Sequence, residues 1–100
     1  MTLLPRGLKV HLALGYTDMR KGMDGLALHV QAVLQQDPFS GHVFCFRGRR
    51  GDLLKALYWD TQGLCLFAKR LEKGRFVWPS QADEVVRLTP AQLSMLFEGL

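Results

Sequence analysis

His42-Val43-Phe44-Cys45-Phe46-Arg47-Gly48-Arg49-Arg50-Gly51-Asp52-Leu53-Leu54-Lys55-Ala56-Leu57-Tyr58-Trp59 is the stretch on which the fold turns. His42 to Arg47 is an apolar run with the period of a strand. Gly48-Arg49-Arg50-Gly51 is turn chemistry, and Leu53 to Trp59 resumes the strand pattern, so the two runs pair antiparallel. Downstream, Asp60-Thr61-Gln62-Gly63 turns the chain again into Leu64 to Leu71. Lys73-Gly74 reads as a tight two-residue turn into Arg75 to Trp78. That register sets Glu72 against Arg75 and Lys69 against Trp78. Pro79-Ser80 leaves the sheet, and Glu84 to Leu88 supplies a further edge strand.

Upstream, Lys9 to Leu14 alternates as a short strand, ended by Gly15. Met19, Met23, Leu26, Val30 and Leu34 then recur at helical spacing, the clearest periodic signal in the chain. Thr17 or Asp18 caps this helix. Gly22 and Gly25 weaken its first turns by about 1 kcal/mol each relative to alanine. Asp24 recaps a better helix from Gly25 to Gln36, and Asp37-Pro38 stops it. At the other end, Thr89-Pro90-Ala91-Gln92 has the form of an N-cap, a first-turn proline and a capping box. Leu93, Leu96 and Phe97 form the apolar stripe of that last helix. The reading is α+β: one domain over residues 1–100, with a mainly antiparallel, hairpin-linked sheet of three to five strands. Helices near residues 18–36 and 90–98 are expected to pack on one face of it.

The chain has 100 residues, 48% of them hydrophobic, which is enough for a core without staples. Cys45 and Cys65 are its only cysteines, and both fall within apolar strand patterns. Two cysteines make neither a zinc site nor a disulfide framework, and the usage fits a reducing compartment. No apolar run reaches membrane-spanning length, and the first ten residues lack the pattern of a signal peptide. The expectation is a cytoplasmic protein with no membrane partner.

The formal net charge is +4, and it is unevenly placed. Phe46 to Pro79 holds eight of the thirteen Lys and Arg residues against Asp52, Asp60 and Glu72. Positive charge interleaved with aromatics favours an anionic polymer as partner. Arg49 and Arg50 sit at a hairpin tip, where guanidinium groups reach phosphates without distorting the fold. Arg47 and Lys55 are close in sequence. Lys69, Arg70, Lys73 and Arg75 cluster around the last hairpin beside Trp78, which offers a stacking or cation–π surface. Arg20 and Lys21, at the start of the first helix, form a secondary contact. The bland alternative is a solvated turn with Lys and Arg stems lying over core aromatics. Catalytic and metal-binding patterns are absent from the sequence. His11, His29 and His42 stand on three different segments, and no Cys-His pair has ligand spacing. No enzyme activity, cofactor or metal is expected.

Several blocks carry a resemblance: Gly15-Tyr16-Thr17-Asp18-Met19-Arg20-Lys21-Gly22-Met23-Asp24-Gly25-Leu26, Asp37-Pro38-Phe39-Ser40-Gly41, Phe44 to Asp52, Tyr58-Trp59-Asp60, Lys69 to Pro79 and Leu88 to Leu93. In this order the chain resembles the small TnpB (Orf2-like) accessory proteins of the IS66 class of bacterial insertion sequences. Tyr16 stands where histidine is commoner in that family, and the usual C-terminal continuation past Glu98-Gly99 is shorter here. The resemblance implies a non-catalytic role in transposition beside a separate DDE transposase and another element-encoded accessory protein. Joined to the charge map, it gives an expected DNA binder acting on the ends of the element. A protein–protein adaptor for the transposase complex is the competing reading, and an RNA-binding regulator is a third. An unpaired edge strand leaves a homo-oligomer open.

Overall fold

The computed structural model describes residues 8–78, 85–89, 91, 93 and 94. Its regular elements are β1 (Val10–Tyr16), α1 (Met23–Ala32), β2 (Val43–Arg47), β3 (Leu53–Trp59), β4 (Leu64–Arg70) and β5 (Val85–Leu88). They form one five-stranded sheet in the order β4-β3-β2-β1-β5. β2, β3 and β4 are an antiparallel meander. β1 lies parallel to β2 and antiparallel to β5. A parallel neighbour needs a crossover, and α1 supplies it between β1 and β2. The α+β class and the strand at the end of the chain are as the sequence implies, although the β1–β2 pair makes the sheet mixed.

β2 explains the layering. Val43, Phe44, Cys45 and Phe46 are all fully buried, so successive residues on opposite faces of one strand both meet protein. Phe44, Phe46 and Leu57 point toward α1 and pack with Leu26, Val30 and Leu34. Val43, Cys45, Leu54 and Ala56 form the other face, where they pack with Val10, Leu12, Phe76 and Leu93. The expectation that both helices share one face is corrected here. Leu93, in the helical turn described at Ala91, Leu93 and Ser94, is on the face away from α1. A single helical layer would leave Val43, Cys45, Leu54 and Ala56 in water. Burial of these side chains stabilises by about 1.5–3 kcal/mol for each large one, so the second face is covered too. Pro90, Gln92 and residues 95–98 of the expected last helix lie outside the described residues.

Two further expectations change. α1 begins at Met23, not near Asp18, and its N-cap Gly22 contributes no side-chain bond. Residues 18–22 instead form a turn held by Lys21 N–H donating to the Asp18 carbonyl at 3.1 Å. The helix ends at Ala32, before Asp37-Pro38, where Gln35 takes a positive φ of 54°. Arg75 to Trp78 is not a strand on β4. Lys69 pairs with Leu54 and Arg70 with Leu53, and the expected Glu72–Arg75 and Lys69–Trp78 pairs do not form. The segment folds back over the β2–β3 turn, where Phe76 N–H donates to the Gly51 carbonyl at 2.9 Å. Phe76, 3% exposed, thereby joins the core instead of extending an edge.

Both cysteines are thiols. Burial pushes Cys45 up to about 12, and burial followed by the Asp60 carboxylate raises Cys65 as well. A thiol reagent at near-neutral pH is expected to leave Cys45 untouched in the folded protein and to titrate it only after denaturation. Prompt reaction of both thiols before denaturation would contradict this packing.

Candidate nucleic-acid interface

One end of the sheet is built from four segments. The first is the end of β1. Its pairing with β2 shifts register between Leu12 and Tyr16, so Tyr16 comes to lie opposite Arg47. Thr17 N–H then donates to the Arg47 carbonyl at 2.8 Å, which ties the outgoing chain to the end of β2. The second segment is the β2–β3 turn, Gly48 to Asp52. Its Gly51 has φ +74° and is buried. The third is the end of β4, where Leu71 N–H donates to the Asp52 carbonyl at 2.8 Å. The fourth is Arg75 to Trp78. Trp78 Nε1 donates to the same Gly51 carbonyl that Phe76 holds, at 3.1 Å. Bonds to the β2–β3 turn thus fix the end of β4 and the 75–78 segment, and a bond to the end of β2 fixes the end of β1.

The charged groups follow from that frame. The Arg47 guanidinium lies between two rings, 5.4 Å from the centre of Tyr16 and 5.6 Å from that of Trp78. Arg49 covers Tyr16 as well, at 5.4 Å. Arg50, its side chain 85% exposed, reaches Asp52 at 3.4 Å. Arg70 at the end of β4 lines the same cleft as Arg49 and Arg50, a cavity of about 470 Å³ that Tyr16, Asp18 and Asp52 also border. Arg75 stands against Gly51, with its Cδ 3.1 Å from where a β-carbon on that glycine would lie. Of the sequence-predicted residues, Arg47, Arg49, Arg50, Arg70, Arg75 and Trp78 therefore gather at one end of the sheet.

The others stand elsewhere. Lys55 shares the α1 side of β3 with Leu57, and its Nζ donates to the Lys21 carbonyl at 2.8 Å. Its ammonium closes the turn that precedes α1. Lys69 pairs with Leu54, as Arg47 does from the other side of β3, so it shares the face of Arg47 and not that of Arg70, and it does not line the cleft. Lys73 is exposed in the turn after β4. Arg20 grips Asp18 through Nε at 2.9 Å and Nη2 at 2.8 Å. That pair holds the Asp18 carboxyl far below the usual carboxylate range, first through the Arg20 side chain and then through its backbone N–H. The Arg20 charge is correspondingly neutralised in place. Lys21 is half-buried, with Nζ 3.5 Å from His29 Nδ1, and His29 is lowered by burial and then by that ammonium.

Two residues of the site were not singled out by sequence reasoning. Asp52 forms an acidic wall, with its side chain 17% exposed. Tyr16 is 59% exposed, a large aromatic left in solvent at the mouth of the cleft. Its position straight after Gly15 at the end of a strand was the available signal. The histidines, read as scattered, are partly brought together. His11 Nε2 and His42 Nδ1 are 2.8 Å apart, and the His11 ring stacks on Phe44 at 5.0 Å. Among the described residues, no three His, Cys, Asp or Glu side chains form a group able to hold a metal ion. No helix among them is long and apolar enough to cross a membrane.

Against known proteins, residues 8–100 match the family described as IS66 Orf2-like protein. The chain belongs to this family. The chain is 52% identical over 100 residues to uncharacterized protein y4hO of Sinorhizobium fredii (strain NBRC 101917 / NGR234), covering 98% of this chain and 87% of that one. It is 40% identical over 95 residues to uncharacterized protein y4jC of the same organism, covering 95% of this chain and 81% of the relative. No solved structure matches. The IS66 Orf2-like family is an accessory family of transposition and not a catalytic one.

Proposed function

We propose that this IS66 Orf2-like protein binds DNA at the ends of its insertion sequence, in the cytoplasm, through the arginine-lined end of the sheet, and so helps the separate transposase to assemble there. The convergence of Arg47, Arg49, Arg50, Arg70 and Arg75 on one turn carries this reading. Guanidinium groups present forked donors that match phosphate oxygens, and those set on strands and stacked on rings lose little freedom on binding. Three of these arginines come from β2, β4 and the segment after β4, so their grouping is a product of the fold and not of local composition. Trp78 supports the patch from behind through Arg47. Lys69 and Lys73 are flanking contacts in this scheme. Arg20, Lys21 and Lys55, engaged within the turn before α1, contribute only to the long-range field.

The test is fluorescence anisotropy of labelled end-sequence duplex and scrambled duplex across a salt series. Log affinity is expected to fall with log salt at a slope of about −3 to −5, because each neutralised phosphate contributes about −0.9. Tighter binding to the end sequence would make the protein a recognition factor as well. No binding to either duplex at low salt would overturn the proposal and favour an adaptor that meets the transposase through protein surface alone.

A further inference from the structure

We infer that the cleft beside Tyr16 receives one unpaired nucleotide, its base stacked on the Tyr16 ring and its phosphate held by Arg50 and Arg70. This rests on the DNA-binding reading above and specifies which form of DNA the site takes.

The starting observation is the placement of Tyr16. Its ring is 59% exposed, yet it is held by neighbours instead of loose in solvent. Arg47 lies 5.4 Å from the ring centre and is itself backed by Trp78 at 5.6 Å. That guanidinium belongs to a strand residue in the β2–β3 ladder, so it is a fixed support. Arg49 is different. It also sits 5.4 Å from the Tyr16 centre, but it belongs to the exposed turn. A planar base stacks on the face of an aromatic ring as a guanidinium does and buries more apolar area, so it can displace Arg49 from the ring. The displaced guanidinium is then available to the incoming phosphate.

The volume and the walls argue for one nucleotide and not for a duplex backbone. The cleft holds about 470 Å³, the scale of a pocket for a small molecule. Asp18 and Asp52 border it, and Asp52 is oriented by its 3.4 Å contact with Arg50. A run of duplex phosphates laid along this surface would pass close to both carboxylates. A single extruded nucleotide brings one phosphate to the Arg50–Arg70 side and turns its base edge, which carries donors as well as acceptors, toward the carboxylates. The acidic walls thus confine the anion to one place.

The test compares three labelled oligonucleotides of one sequence: a blunt duplex, the same duplex with a short unpaired tail, and the single strand. The tailed duplex and the single strand are expected to bind about tenfold more tightly than the blunt duplex. Tyr16→Ala is expected to remove that advantage, bringing tailed and blunt duplex to the same affinity, a relative loss of about tenfold that lies within the range for one base–aromatic stack. Tyr16→Phe should retain it. Equal binding of blunt and tailed duplex by the unmutated protein would overturn the nucleotide site and leave DNA binding intact. Equal losses on both DNAs with Tyr16→Ala would also overturn it. Absence of binding to all three would remove the DNA-binding reading together with the site.

Discussion

Replacing Arg49, Arg50 and Arg70 together by alanine is expected to lower affinity for duplex DNA with an unpaired tail on the order of a hundredfold at moderate salt. The three side chains line one cleft but come from a turn and a strand end that different backbone bonds hold in place. A solvent-exposed ionic contact to phosphate is worth up to about 1 kcal/mol, and about 2.7 kcal/mol is a factor of a hundred in affinity. The salt slope should flatten by about 2 to 3 at the same time, since three fewer counterions are released. Arg50→Ala also leaves Asp52 without its 3.4 Å partner, adding a bare carboxylate to the phosphate path. The matching lysine triple variant separates charge from geometry. It should keep most of the slope while losing part of the affinity, because an ammonium lacks the forked donors of guanidinium. Stability should change little in either variant, as Arg49 and Arg50 are exposed. If the alanine variant folds and binds with unchanged affinity and slope, the cleft is not the contact.

The second large effect concerns folding. Gly51→Val is expected to cost about 2–4 kcal/mol and to lower the melting temperature by roughly 10–25 °C. At φ +74° a β-branched residue is strained on its own account, by about 1–3 kcal/mol. A β-carbon there would also meet Arg75 Cδ at 3.1 Å and Trp78 Nε1 at 3.3 Å. Relief by moving the 75–78 segment would give up the Trp78 bond to the Gly51 carbonyl, worth about 1 kcal/mol. Gly63→Ala is the control, because a β-carbon there meets nothing within 4 Å and no positive φ is involved. A calorimetric scan in which Gly51→Val melts within a few degrees of the unchanged protein would mean the turn is not held as described.

Much of this was legible in the residues, and the failures have physical causes. The β2–β3–β4 meander was readable because each step is local: a short apolar run, a turn rich in Gly and Asp, another run. Asp60 illustrates it, since its carboxylate accepts from Gln62 N–H at 2.9 Å and Gly63 N–H at 2.8 Å, the bonds that make Asp a turn residue. The parallel β1–β2 pair was not readable, because a strand's partner is set by long-range packing and leaves no mark in its own period. The 75–78 segment was misread for a related reason. Apolar side chains at Phe76 and Trp78, two apart, fit a strand and equally fit a chain laid over a core. The deciding fact was a carbonyl at Gly51, distant in sequence. In the site, the Arg49-Arg50 tip was evident from its turn. Arg47, placed between two rings, depends on the β1 register, and so does Tyr16. Lys55 is set aside by its bond to the Lys21 carbonyl, a contact between the sheet and the turn before α1 that its own strand pattern does not reveal.

The strand order also has a consequence for how the protein comes into being. The middle of the sheet is made from neighbours along the chain, so β2, β3 and β4 can pair as soon as residues 43–70 are available. β1 emerges early from the ribosome but has β5, from residues 85–88, as its outer neighbour. Synthesis therefore passes through an interval in which the meander is made and β1 waits with one side of its backbone unpaired. Messages cut short before that point would release chains with an open strand, prone to sticking to one another, and those chains are the ones quality-control proteases would be expected to remove first.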